Sequence, residues 1–190
     1  MEKESAKFRL PLIAVRVHEH EKLNVCLRDI LMDMSEFIPD RVSNQVNQQS
    51  YFDNKWLSQA ELHKTEDNNL QKLVKFVEET ANQKIPKPEP EPAPVLSIMS
   101  MWCIVSKPGL VGERHNHSGR VSGVYYVDAG ASGAQNGGLL QFYLDRQSAQ
   151  PTHVIEPESG VLYLFPSMLE HSVSRYDGAS PRIVIALNLS

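Results

Sequence analysis

The chain has 190 residues, 41% of them apolar, and a formal charge of −4. That length supports one domain with its own core, and the acidic balance argues against a nucleic-acid or membrane-surface binder, which needs a basic patch. Two cysteines, Cys26 and Cys103, cannot form a disulfide framework, so a reducing, cytoplasmic setting is expected. The charged start, Met-Glu-Lys-Glu-Ser, carries no apolar signal core, and no run approaches the roughly 20 residues that span a bilayer.

In chain order, residues 10–17 read as an opening strand. Residues 21–37 place Leu23, Cys26, Leu27, Ile30, Leu31 and Met34 at spacings of three and four, one apolar helical stripe. Residues 43–50, rich in Asn and Gln, read as a loop. Asp67 is the expected cap of a helix over 68–81 that buries Leu70, Leu73, Val74, Phe76 and Val77. Prolines 86, 88, 90, 92 and 94 forbid a helix or a central strand, so 84–95 reads as an extended polyproline spacer.

After residue 95 the texture changes to β. Short apolar runs recur at 95–105, 122–127, 139–144, 152–155, 161–165 and 183–189, separated by Gly, Ser, Pro or Asp. Such a series implies a sandwich or barrel, with the preceding helices on an outer sheet face. Residues 1–94 are read as a strand, helices and proline-rich linker, and residues 95–190 as the β core of the same domain.

Three histidines stand out in that core. His115 and His117 flank Asn116, and on a strand their side chains would share a face. His171 follows the apolar run Val161-Leu-Tyr-Leu-Phe165 and a short turn. Two such groups and a distant third can enclose a metal on one side and leave the other open, as non-haem Fe(II) oxygenases require. Imidazole also suits Zn, Cu and Ni, so the trio alone does not name the metal. Arg182 opens the last apolar run. Beside a metal pocket it wants a carboxylate, gripped by two parallel hydrogen bonds, and a metal-chelating dicarboxylic co-substrate would supply one.

On these residues the resemblance becomes specific. Trp102, Gly109, His115-Asn-His117, Ser122-Gly-Val-Tyr-Tyr126, Gly138-Leu-Leu-Gln-Phe142, Gly160-Val-Leu-Tyr-Leu-Phe-Pro-Ser167, His171, Arg182 and Asn188 carry it. From about residue 98 to 190 the chain resembles the 2-oxoglutarate/Fe(II)-dependent dioxygenases, on their prolyl-4-hydroxylase-like branch, among small bacterial and phage members. The resemblance implies a mainly β fold, a double-stranded β-helix (jelly roll, cupin-like) with the N-terminal helical segment packed on it. It implies a hydroxylase using Fe(II), 2-oxoglutarate and O₂, acting on a peptide, prolyl or small-molecule substrate. His115, His117 and His171 take the places of the metal ligands, with His117 where the family carries Asp or Glu. Arg182 takes the place of the 2-oxoglutarate anchor, and Tyr126 resembles the phenol that binds the same carboxylate.

The departure at His117 has a physical consequence. Two histidines and a carboxylate leave Fe(II) at a net +1, whereas three neutral histidines leave it at +2. Three readings therefore stay open: the 2-oxoglutarate oxygenase, a three-histidine cupin-type dioxygenase that ignores 2-oxoglutarate, and a non-catalytic jelly-roll binding protein. Within the first, His117 could also turn outward, with Asp145 or water completing the coordination. Arg182 could instead pair with Asp177. Trp102 and Phe142 are expected in the core, Cys103 as a small core hydrophobe, and His18, His20, His63 and His153 on the surface. Arg114 and Arg120 are candidates for the pocket mouth, and 128–137 for a flexible lid there. A homodimer is neither required nor excluded by the sequence.

Overall fold

The computed structural model describes residues 11–41, 54–86 and 94–190. Residue 10, the Asn/Gln-rich stretch 43–50 and most of the proline spacer (87–93) lie outside the described residues. The chain runs β1 (Ile13–Arg16), α1 (His20–Phe37), β2 (Lys55–Leu57), a short 3₁₀ turn (Leu62–Lys64) and α2 (Asn68–Lys84). Eight strands follow: β3 (Ile98–Ser106), β4 (Leu110–His115), β5 (Val121–Asp128), β6 (Leu140–Tyr143), β7 (His153–Ile155), β8 (Val161–Pro166), β9 (Glu170–Tyr176) and β10 (Arg182–Leu189).

The helices form where the apolar spacing places them. Asp67 caps α2 as expected, its Oδ1 accepting from Asn69 N at 2.8 Å and Leu70 N at 2.9 Å. Leu70, Leu73 and Val77 are wholly buried along one face of α2, and Leu27 and Leu31 along one face of α1. The rest of the α1 stripe differs, because Cys26 is exposed and Leu23, Ile30 and Met34 are half-buried. At the entry to α1, Gly160 meets His20 so closely that a Cβ there would lie 2.0 Å from its ring, and its φ of +82° suits only glycine.

Two antiparallel sheets face each other. The larger has the order β1-β8-β5-β10-β3-β2 and the smaller β4-β9-β6-β7. This is the expected double-stranded β-helix, with β1 and β2 added to the larger sheet at its two edges. The helices pack on its outer face through a core that includes Leu27, Leu31, Leu70, Leu73, Met101, Cys103, Tyr125, Leu162, Ile183 and Ile185. Its inner face contributes Tyr126, Tyr163, Phe165 and Val184 to a second core with Leu140 and Phe142 from the smaller sheet. Covered on both faces, the larger sheet has central strands that are mostly apolar, as in β8, where Val161 to Phe165 are all buried. Asn188, whose facing the sequence left open, joins a polar cluster, accepting from Ser122 Oγ at 2.8 Å.

Candidate functional site

The smaller sheet is where the histidines meet. Register pairing sets His115, the last residue of β4, directly opposite His171, the second residue of β9. The ring centroids of His115 and His171 lie 4.5 Å apart, those of His115 and His117 4.7 Å, and those of His117 and His171 5.1 Å. One ligand nitrogen from each ring falls within 4.8 Å of the other two. His117 is not on the strand with His115, contrary to the sequence expectation. β4 ends at His115, and His117 lies in the following turn, held by a 2.9 Å bond from its backbone N–H to Ser167 O. It nevertheless turns inward to join the other two, so the alternative in which it faces out is overturned.

The donor set suits a divalent metal. His115 Nδ1 lies 2.7 Å from Glu113 O, and His171 Nδ1 lies 3.0 Å from Leu169 O. A ring nitrogen facing a carbonyl carries the proton, so each ring presents an unprotonated Nε2 to the cluster. Burial pushes His117 and His171 down to about 4, with the neighbouring histidines adding to the effect. Both are therefore neutral, the form that binds metal, at physiological pH. Trp102 meets His117 edge-on at 5.8 Å, and the Arg41 guanidinium lies 5.7 Å above the indole.

A cavity of about 790 Å³ opens from the histidines between the two sheets. At its inner wall stands Arg182, only 3% exposed. Its Nη2 donates to Tyr126 Oη at 3.0 Å, while Nε is buried with no partner. Among the described residues no carboxylate forms an ion pair with Arg182, and Asp177, the partner considered from sequence, is held by Arg175 at 2.9 Å. Burial raises the Tyr126 phenol above its ordinary value, against the lowering influence of Arg182, so it stays protonated. The site thus joins a three-nitrogen cluster to a buried cation with no ion-pairing carboxylate among the described residues.

Other expectations need correction. Trp102 is half-buried and lines the cavity rather than the core, whereas Phe142 is wholly buried. Arg114 reaches the wall, but its charge is engaged: Nε donates to Glu170 Oε2 at 2.6 Å and its plane stacks 4.0 Å from the Tyr143 ring. Arg120 turns to Pro86 O at 3.0 Å. Segment 128–137 does not line the cavity and is tied down. Gly133 and Gly137 pair with each other, and Ala131 N and Asp177 N bond to Tyr176 Oη and Asn136 O. The mouth is instead bordered by Arg41, Asn54 and Lys55 on one side and β4 on the other. Of these, Lys55 lies on β2, a strand of only three residues with no legible pattern, and Arg41 and Asn54 lie outside any strand or helix. His20, His63 and His153 are half-buried rather than exposed, and none joins the cluster. No helix among the described residues is long and apolar enough to cross a membrane.

Residues 100–188 match the model of the family described as "Putative 2OG-Fe(II) oxygenase". No curated protein matches the chain significantly. Among solved structures, a prolyl-4-hydroxylase from Pseudomonas putida is similar at 16% identity, with 93% of this chain and 91% of that one covered and a TM-score of 0.64. A viral collagen prolyl hydroxylase from Paramecium Bursaria Chlorella virus-1 is similar at 11% identity, covering 97% and 98%, with a TM-score of 0.58. HygX from Streptomyces hygroscopicus, solved with nickel and 2-oxoglutarate bound, is similar at 9% identity, covering 95% and 82%, with a TM-score of 0.66. At these identities the structures establish the shared β-helix fold. The family model matches residues 100–188, so the β core of this chain is similar to the 2-oxoglutarate- and Fe(II)-dependent oxygenases, and the solved prolyl-4-hydroxylases share its fold.

Proposed function

We propose that His115, His117 and His171 hold the iron, and that Arg182, with Tyr126, binds the far carboxylate of 2-oxoglutarate. The observation that carries this reading is Arg182, a buried guanidinium beside a metal-type cluster with an unpartnered Nε and no ion-pairing carboxylate among the described residues. Burying a charge without a partner costs several kcal/mol, so the fold tolerates this one best if an anionic ligand completes it. Aspartate is absent from the cluster, and the three neutral rings leave the metal's double positive charge to attract a dianionic 2-oxo acid.

Bound iron would supply O₂ activation coupled to oxidation of the 2-oxo acid to succinate and CO₂, with hydroxylation of a substrate C–H bond. The chain's own part is positioning and exclusion. The backbone carbonyls of Glu113 and Leu169 fix the tautomers and aim of His115 and His171. Arg182 and Tyr126 set the depth and orientation of the co-substrate. Phe165, Val184 and Ala186 line the wall and keep water from the chemistry. The substrate is proposed to enter past Arg41, Lys55 and Trp102, and to be a peptide or a small polar molecule. Solved neighbours include a Trichoplax adhaerens prolyl hydroxylase with a peptide fragment and HygX with hygromycin B.

The test is succinate formation from 2-oxoglutarate and O₂ by the Fe(II)-loaded protein without added substrate, beside its His171→Ala variant. Slow succinate release in the parent alone supports the reading. Iron retention with no succinate and no 2-oxoglutarate binding would favour the three-histidine dioxygenase that ignores this co-substrate.

A further inference from the structure

Two side-chain atoms that are buried without a hydrogen-bond partner face each other across one pair of strands. They are Ser106 Oγ, on the last residue of β3, and Arg182 Nε, on the first residue of β10. Ser106 and Arg182 are register partners, so their side chains leave the sheet on the same face within a few ångströms. That face is the cavity face. Trp102 and Ile104 precede Ser106 at alternate positions of β3, and Val184 and Ala186 follow Arg182 on β10; these four and Arg182 line the cavity, while Ser106 lies behind the lining, next to Arg182 in register. Ser106 is 0% exposed and Arg182 3%, so bulk water reaches neither freely.

A guanidinium has donors only, and a serine hydroxyl beside it is best used as a donor to something both can reach. Tyr126 adds a third proton. Its hydroxyl accepts from Arg182 Nη2, which leaves its own hydrogen to give. Arg182 Nε and Ser106 Oγ thus lack partners among the described residues, and the Tyr126 hydrogen is still to be given. A carboxylate, with two oxygens and about four lone-pair sites, matches that demand.

We infer that Ser106 is a binding residue for 2-oxoglutarate, donating to the same far carboxylate as Arg182 and Tyr126 and tuning the site to a dicarboxylic 2-oxo acid. This rests on the co-substrate reading above and adds to it a residue that neither motif nor spacing pointed out.

The experiment uses Zn(II)-loaded protein, which binds without turning over, and calorimetric titration with 2-oxoglutarate and with 2-oxopentanoate. The second ligand has the same chain length but ends in a methyl group. Ser106→Ala is expected to weaken 2-oxoglutarate about tenfold or more, the loss of one hydrogen bond to a charged group. Binding of 2-oxopentanoate should stay within about twofold, and Ser106→Thr, which keeps the hydroxyl, should recover most of the lost affinity. Metal-free Ser106→Ala should melt no lower than the parent, because the hydroxyl it removes is unpaired there. Unchanged 2-oxoglutarate affinity in Ser106→Ala overturns the inference, and equal weakening of both ligands assigns Ser106 a merely structural role. If the parent binds zinc but not 2-oxoglutarate, the co-substrate reading itself fails and the inference with it.

Discussion

Replacing Arg182 with methionine separates what the arginine does for the fold from what it does for the ligand. In the metal-free, ligand-free protein the guanidinium is 3% exposed, its Nε is unpartnered, and its one side-chain hydrogen bond runs to Tyr126 Oη at 3.0 Å. An unsatisfied buried donor costs roughly 1–3 kcal/mol, and the Tyr126 bond returns about 1 kcal/mol. Methionine fills similar space without a charge, so the variant should be between neutral and about 2 kcal/mol more stable. In a chain of this size that is a rise in melting temperature of up to about 6 °C. Binding of 2-oxoglutarate should move the other way. Losing a buried, charge-assisted pair costs about 3–5 kcal/mol, a weakening of roughly two to four orders of magnitude. Thermal melts of the metal-free proteins and titration of the Zn(II)-loaded ones read the two effects separately. A variant destabilised by several kcal/mol when ligand-free would refute the reasoning, since Arg182 would then have a partner within the fold. So would undiminished affinity for 2-oxoglutarate.

Further expectations concern the metal cluster and the helical layer. His171→Ala should remove high-affinity Zn(II) binding, read by a chelator-competition titration, while the metal-free fold persists in circular dichroism. Metal-free stability should fall with acid in a defined window. Folded-state pKa values of about 4 for His117 and His171 lie below the unfolded value of roughly 6.5, so the unfolded chain gains protons first as pH drops. Their contribution is level above about pH 6.5, declines between there and about pH 4, and levels off below. It is on the order of 3 kcal/mol for buried His171 and less for half-buried His117. Urea denaturation across pH 4–7 measures it, and saturating Zn(II) should hold stability up further into the acid range. Asp67→Ala leaves two N–H groups of α2 without their cap and should cost about 1 kcal/mol in urea denaturation, with metal affinity unchanged.

Much of the fold was legible because the larger sheet is covered on both faces. Its strands at 98–106, 121–128, 161–166 and 182–189 are the apolar runs that the sequence displays most plainly. Helix α2 was legible through Asp67 and its stripe. The smaller sheet was not. β4, Leu-Val-Gly-Glu-Arg-His, is an edge strand with alternate residues exposed, and β9, Glu-His-Ser-Val-Ser-Arg-Tyr, carries polar side chains into the site and its surroundings. Polarity, which marks a loop elsewhere, there marks the working face. The same gap displaced His117, since nothing in the spacing tells that β4 stops at His115. Register is the other thing a single sequence withholds. The opposition of His115 to His171, and of Ser106 to Arg182, depends on hydrogen-bonded alignment between distant segments, and Ser106 could be noticed only once that alignment was known. The loop 128–137 shows the converse: its glycines and small residues suggested motion, but Tyr176 and Asn136 fasten it away from the cavity.

The most direct test of the central claim is an anaerobic titration of the Fe(II)-loaded protein with 2-oxoglutarate, followed in the visible for the weak metal-to-ligand charge-transfer band of a chelated 2-oxo acid. The account predicts a saturable band with one equivalent of iron, absent in His171→Ala and shifted to far higher 2-oxoglutarate concentration in Arg182→Met. Iron binding with no band at any 2-oxoglutarate concentration would contradict it.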